Sequence, residues 1–354
     1  MSTAMPGWLA HERVLLRGAV WPYGAGQSMA GWYPMAMGMG MPMDGSGHAP
    51  MLAWRYLGQR PLTAAFFQDN FVGQLAADKR VCYTPLAALA QFEASAAHGK
   101  GLRCLKPSAF VFHVSRCGST LLTQMLAQLP SCVVLSEPPV LDGFFRLHHA
   151  QPQASGGVAV FRQLLAALGQ ARADVQQHLI VKLDSWHAPW IPWVRAAFAD
   201  VPIFFVYRQP DQVLASHRRQ RGLHMVPGLL PLAPLPVVAQ ALHPGDLEGH
   251  ARGVLTAIFQ SALASADADV LQLLNYKQLP QAVWERVMPV LGLACDEDAL
   301  KAVRARAQFH AKHGTQPFTG DAPPLAGRAN SGSDELAQCY GALEKKRLGV
   351  SPAA

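Results

Sequence analysis

The sequence predicts an α/β protein, three layers deep in α/β/α order, around a central and mainly parallel sheet. Three observations carry this. Short apolar runs of strand length recur at 110–113, 132–135, 178–183, 203–208 and 270–274, and such uninterrupted runs belong to strands buried on both faces. Segments of helical period lie between them, as right-handed crossovers between parallel strands require. The first run also ends in a short polar turn and passes at once into an apolar helix, the arrangement of a phosphate-binding loop.

Taken in order, residues 1–104 stand apart as an N-terminal extension, and 105–354 form the main domain. Within the extension, 29–43 contains MAMGMGMPM; its Gly and Pro break helix and strand alike, so it is expected to be a loop or flexible lid, or else a Met-lined acceptor surface. The aromatic-rich run 54–71 is expected to be ordered, its rings packed on the core or lining an acceptor pocket. After the first strand, the helix that follows the turn has Leu121, Leu122, Met125, Leu126 and Leu129 at helical spacing. Helices are expected at 158–171, 188–198, 248–265, 296–307 and 333–347. The fourth starts with acids and ends with Arg304 and Arg306, as the helix dipole prefers. The Pro- and Leu-rich stretch 222–244 reads as a long loop near the site.

The turn reads Arg116-Cys117-Gly118-Ser119-Thr120. Backbone N–H groups and the positive end of the next helix would converge on an anion there, with two hydroxyls beside them. In a nucleotide triphosphatase loop a Lys directly precedes the Ser or Thr. Here Gly118 takes that place and the cation stands two residues upstream at Arg116. These departures argue against ATP hydrolysis.

A second segment, IFFVYR at 203–208, leads into Gln209-Pro210-Asp211 and on to Ser216. An Arg at a strand end offers a planar fork to a phosphate, and a Ser two turns into the next helix can reach the same oxygens. A third segment, 270–274, runs into Asn275-Tyr276-Lys277-Gln278-Leu279, and later into Val290-Leu291-Gly292-Leu293. Together the three resemble the sulfotransferase family: its 5′-phosphosulfate loop, its 3′-phosphate motif of Arg and a Ser eight residues on, and its "YEDL … FLGL" strand end. Lys277 departs from the acid of that last motif. The resemblance covers about 105–310. It implies a P-loop nucleotide-binding fold and 3′-phosphoadenosine-5′-phosphosulfate as co-substrate, held by Arg116, Cys117, Gly118, Ser119, Thr120, Arg208 and Ser216, with no metal required.

Catalytic candidates fall between those motifs. The strand 132–135 delivers Ser136-Glu137-Pro138-Pro139 to the carboxyl edge of the sheet, where ligands of open parallel sheets bind. Resemblance to the tyrosylprotein branch implies that Glu137 takes the acceptor's proton; otherwise it caps a turn before Pro-Pro. The strand 178–183 supplies Lys182 and Asp184, similar to the family's Lys-x-His with Asp in place of His. Lys182 would steady the bridging oxygen, or else form a structural ion pair with Asp184 or Glu137. Candidates for the base are Glu137, Asp184 and His187, in that order, and Arg116 joins Lys182 in neutralising the leaving group.

With 354 residues, half of them apolar, and a net charge of +7 from 30 basic and 23 acidic residues, the chain suits an enzyme acting on an anionic nucleotide. Nucleic acid would ask for a basic stripe with interleaved aromatics, and only the cluster 217–221 is basic; it would cover the nucleotide, meet an acidic acceptor, or form a solvated helix face. The six cysteines include no C-x-x-C pair and the histidines no matching ligand spacing, which speaks against zinc. Residues 1–13 lack a signal-peptide core, and no long apolar run spans a membrane, so a cytoplasmic protein is expected. Cys117 reads as a small filler or an oxidisable thiol. The acceptor hydroxyl would belong to a small molecule, a glycan, a lipid headgroup or a peptide Tyr. Two alternatives stay open, a P-loop small-molecule kinase and a non-catalytic relative that binds nucleotide. Arg328 is the candidate for a late basic contact to the 3′-phosphate.

Overall fold

A computed structural model describes residues 30–40, 49–72, 81–86, 89–90, 103–236, 245–266, 271–312, 314, 316–317 and 334–349. Its strands are β1 (Trp32–Gly40), β2 (Ala49–Tyr56), β3 (Val81–Pro85), β4 (Pro107–His113), β5 (Cys132–Ser136), β6 (His178–Lys182), β7 (Ile203–Tyr207) and β8 (Leu271–Asn275). Its main helices are α1 (Ser119–Leu126), α2 (Pro139–Ala150), α3 (Gly157–Leu168), α4 (Ile191–Ala197), α5 (Pro210–Arg219), α6 (Leu247–Ala264), α7 (Glu297–Arg306) and α8 (Glu335–Leu348). Contacts divide the chain into two compact units: Met1–Pro107 with Leu135–Leu179, and Ser108–Val134 with Ile180–Ala354.

The first unit holds an antiparallel sheet of order β1-β2-β3. Its first strand corrects the reading of the Met/Gly-rich run as a loop. Met and the small residues alternate there with the period of a strand, and pairing with β2 from Trp32↔Tyr56 to Gly40↔Ala49 satisfies the backbone. Pro34, which cannot donate, sits where the register shifts. Met35 and Met37 are buried. The sequence after Pro138-Pro139 is likewise more than a turn: Pro139 opens α2, where a missing N–H costs nothing. Gly143 of α2 meets β1 so closely that a Cβ would stand 3.0 Å from the Met37 carbonyl oxygen. Gln170 accepts from Gly31 N–H (2.8 Å) and donates to the Trp32 carbonyl (2.6 Å), which fixes the start of β1.

The five-stranded sheet has the order β5-β6-β4-β7-β8. β4, β7 and β8 run parallel, and the core of each of the first two is fully buried, as their unbroken apolar sequences require. The predicted α/β fold with a central, mainly parallel sheet is therefore present. After β4 the chain builds β5 and β6 on one side before crossing to β7 and β8 on the other. The carboxyl end of β4 lies at this reversal, where open α/β sheets form a ligand crevice.

The predicted helices 158–171, 188–198, 248–265, 296–307 and 333–347 correspond to α3, α4, α6, α7 and α8. Asp296 caps α7 by accepting from Ala299 N–H at 2.8 Å. After β8 the chain forms a 3-10 turn Tyr276–Gln278, a π-helical turn Val283–Val287 and a short helix Met288–Val290. The loop 222–244 contains a 3-10 turn, Leu223–Met225; its part 237–244, like Arg328, lies outside the described residues. Among the described residues, no helix is long and apolar enough to cross a membrane.

Candidate functional site

The turn after β4 is folded against the usual backbone preferences. Ser115 (φ 65°), Arg116 (φ 49°) and Glu137 (φ 55°) are the non-glycine residues with positive φ among the described residues. Two lie in the loop, and the third is the carboxylate picked out by the sequence. Left-handed backbone costs about 1–2 kcal/mol at a non-glycine residue and concentrates at functional turns. One residue further on, after Cys117, Gly118 is again left-handed at φ 82° and caps α1. A Cβ on it would stand 2.7 Å from Leu279 Cδ1 and 2.8 Å from Tyr276 Cδ2, so the loop needs glycine for space as well as for φ. His113 is buried and its Nδ1 accepts from Ser115 N–H at 2.9 Å, bracing the turn.

The last residue of β6 reaches this loop. Lys182 is fully buried, and its ammonium donates to Thr120 Oγ1 at 3.2 Å. Two predicted anion-binding groups, on separate elements, are thus in contact. Two residues on, Asp184 and His187 are both buried, with Asp184 Oδ2 3.9 Å from His187 Nδ1. Between them, Ser185 Oγ lies 3.3 Å from His224 Nε2, and the Trp186 ring stands 5.7 Å from that of His187 and 5.3 Å from that of His224. His224 is a member of this group that the sequence did not signal, because it comes from the Pro-rich loop after α5.

Arg208 directly follows β7. Its guanidinium sits 4.1 Å from the centroid of the Tyr276 ring, and its Nε donates to Gln212 Oε1 at 2.8 Å. Gln212 is one turn ahead of Ser216 on α5, and Ser216 is half-buried. The sequence motif named Arg208 and Ser216; it did not reveal that Tyr276, from the third motif, supports the guanidinium with its face. The spacing of Gln212, four residues on from Arg208, was the available signal for the other partner.

Arg116 extends to the far end of α5, where its Nη2 donates to the Gln220 carbonyl at 2.6 Å. Burial and the neighbouring Arg219 lower its pKa from the usual arginine range. His217 nearby is buried; burial and the charges of Arg116, Arg221 and Lys312 bring its pKa down to about 4. Gly222 N–H donates to its Nδ1 at 3.3 Å, so the neutral ring carries its proton on Nε2. That nitrogen is buried and has no hydrogen-bond partner among the described residues. Cations gathered in this way favour an anion.

Cys117 is buried, its thiol donating to the Val206 carbonyl at 3.1 Å, and burial raises its pKa. This is the environment of an inert filler rather than of a reactive thiolate. Ser119, the first residue of α1, is buried as well. Glu137 belongs to the first unit, immediately after β5, where it is half-buried.

No protein-family model matches the chain, and no curated protein matches it. Among solved structures it is similar to the sulfotransferase STF9 from Mycobacterium avium, at 13% identity over 62% of this chain and 71% of that one, with a TM-score of 0.44. It is also similar to the sulfotransferase STF1 from Mycobacterium tuberculosis H37Rv, at 14% identity over 62% and 74% of the two chains, TM-score 0.40. For a sulfotransferase domain of the curacin biosynthetic pathway the values are 16% identity, 56% and 78% coverage, and TM-score 0.36.

Proposed function

We propose that this chain is a sulfotransferase that moves a sulfuryl group from 3′-phosphoadenosine-5′-phosphosulfate to a hydroxyl acceptor by in-line displacement. The observation that carries the reading is the contact between Lys182, buried at the end of β6, and Thr120 of the loop, 3.2 Å apart. A lysine buried at a loop with left-handed backbone at Ser115, Arg116 and Gly118 suits a doubly charged phosphosulfate, because an opposite charge close by favours the anion. The chemistry of the donor set fits: Arg116, Lys182 and Thr120 offer positive charge and hydrogen-bond donors to oxyanions.

In this reading the new bond joins the acceptor oxygen to sulfur, and the bond broken joins sulfur to the 5′-phosphate, which leaves as adenosine 3′,5′-bisphosphate. Lys182 and Arg116 neutralise charge on the leaving phosphate. The acceptor's proton goes to a carboxylate or imidazole, for which Glu137, Asp184 and His187 are the candidates. Arg208, held over the Tyr276 ring, and Ser216 select the donor by its 3′-phosphate. The proposed acceptor is a hydroxyl of a small molecule, glycan or peptide, and the proposed setting is the cytoplasm.

Calorimetric titration with adenosine 3′,5′-bisphosphate, against ATP with magnesium as control, tests the reading. Binding of the bisphosphate that is lost in Arg208→Ala is the expected result. Binding of ATP alone would favour a small-molecule kinase, and binding of neither would overturn the donor site.

A further inference from the structure

Two neighbouring strands end on one carboxylate. Tyr207 closes β7 and Asn275 closes β8, and the two residues are direct partners in the parallel register. The Tyr207 hydroxyl donates to Glu344 Oε1 of α8, and Asn275 Nδ2 donates to the same oxygen at 3.0 Å. Arg347, nearly one turn further along α8, holds the carboxylate from the other side, Nε to Oε1 at 2.9 Å and Nη2 to Oε2 at 3.0 Å. Burial raises the pKa of Glu344, but the hydrogen bonds from Arg347, Tyr207 and Asn275 outweigh it and hold the value at about 2.

Asn275 is committed at both ends of its amide. Oδ1 accepts from Lys277 N–H at 2.9 Å, Nδ2 also donates to the Tyr340 hydroxyl at 3.0 Å, and the backbone N–H donates to Gln278 Oε1 at 2.9 Å. This closes the 3-10 turn in which Tyr276 is the first residue. Tyr207 is equally constrained, its ring packed edge-on against Phe259 and Tyr340 at 6.3 and 5.9 Å. The residue after Tyr207 is Arg208 and the residue after Asn275 is Tyr276, and these two make the 4.1 Å cation–π contact. Each member of that contact is therefore one peptide bond from a side chain anchored on Glu344.

We infer that Glu344 is a positioning residue: its carboxylate locks the ends of β7 and β8 so that Arg208 is held over the Tyr276 ring before a ligand arrives. The consequence for donor affinity rests on the sulfotransferase reading; the positioning of Arg208 does not. A guanidinium already fixed in place loses less rotamer freedom on binding, which is the general source of affinity through preorganisation.

The test compares Glu344→Ala with Glu344→Gln in the full chain. Gln keeps an oxygen that accepts from Tyr207 and Asn275 and loses only the charge. Two quantities are read: the ring-current-shifted Arg208 Nε–H resonance, assigned by its absence in Arg208→Ala, and the affinity for adenosine 3′,5′-bisphosphate. In Glu344→Ala the resonance is expected to move toward that of a solvated arginine and the affinity to fall roughly tenfold, the scale on which outer partners of a binding group act. In Glu344→Gln both are expected to stay close to wild type. An unmoved resonance in folded Glu344→Ala overturns the inference. So does a shift of equal size in both variants, since charge at Arg347 would then be what matters. If Glu344→Ala does not fold, Tyr207→Phe removes one of the same anchors and is read by the same resonance, with the same outcomes. If the wild type does not bind the bisphosphate, the donor-site reading falls while the resonance still decides the role of Glu344.

Discussion

Lys182 Nζ lies 3.2 Å from Thr120 Oγ1, which joins the last residue of β6 to the first turn of α1. The ammonium is fully buried beside a neutral hydroxyl. Its contributions to binding and to folding are separable by substitution.

Lys182→Met tests that separation. The substitution keeps an unbranched chain and removes the charge, so the melting temperature reports what the ammonium contributes to folding. Affinity for adenosine 3′,5′-bisphosphate is expected to fall tenfold or more, because a hydrogen bond to a charged group contributes about 1.5–3 kcal/mol. Thermal melts and calorimetry on the same preparation give both numbers. A variant that loses stability but keeps its affinity would mark Lys182 as purely structural.

Gly118→Ala is expected to destabilise the second unit. A left-handed φ of 82° is unfavourable for alanine, and its Cβ would press on Leu279 and Tyr276 at 2.7 and 2.8 Å. The backbone effect alone is about 1–2 kcal/mol, measurable by urea unfolding. The same pressure on the Tyr276 ring should weaken its contact with Arg208, so bisphosphate affinity should fall too.

Glu344 sets a pH dependence at the acid end. Its carboxyl has a pKa of about 2 in the folded chain against an ordinary value of 4.5. The unfolded chain thus takes up the proton first. The stabilisation is complete above about pH 4.5 and is lost as pH falls through that value toward about 2. Urea unfolding from pH 6 to pH 3 should show a decline that is shallower in Glu344→Gln.

His217 acts in a higher window. Burial and its cationic neighbours hold its pKa at about 4, against 6.5 for an ordinary histidine. The unfolded chain binds this proton near pH 6.5 and the folded chain only near pH 4, so stability falls as pH drops between those values. The melting temperature of His217→Asn should vary less over pH 6.5 to 4 than that of the wild type, and an identical slope would remove His217 as its source.

The strands of the central sheet were legible because a strand buried on both faces is largely apolar, and β4, β5, β6, β7 and β8 each carry a short apolar run, with the polar residues mostly at their ends. The loop was legible for a related reason: Arg116-Cys117-Gly118-Ser119-Thr120 is contiguous, and its chemistry needs no distant partner to be recognised. β1 was not. Met-Gly alternation is a weak strand signal, and what makes that segment a strand is its pairing with β2 and the close approach of Gly143, neither of which is local.

From the chain alone came the kind of element each segment forms and the residues able to meet an anion, Arg116, Lys182 and Arg208, because periodicity and side-chain chemistry act over a few residues. Folding decided which groups meet: Lys182 with Thr120, 62 residues apart; Arg208 with Tyr276; Tyr207 and Asn275 with Glu344, 137 and 69 residues away. Hydrogen bonds and ring contacts act over only a few ångströms, so partners so distant along the chain are chosen by the order of the strands and the docking of α8.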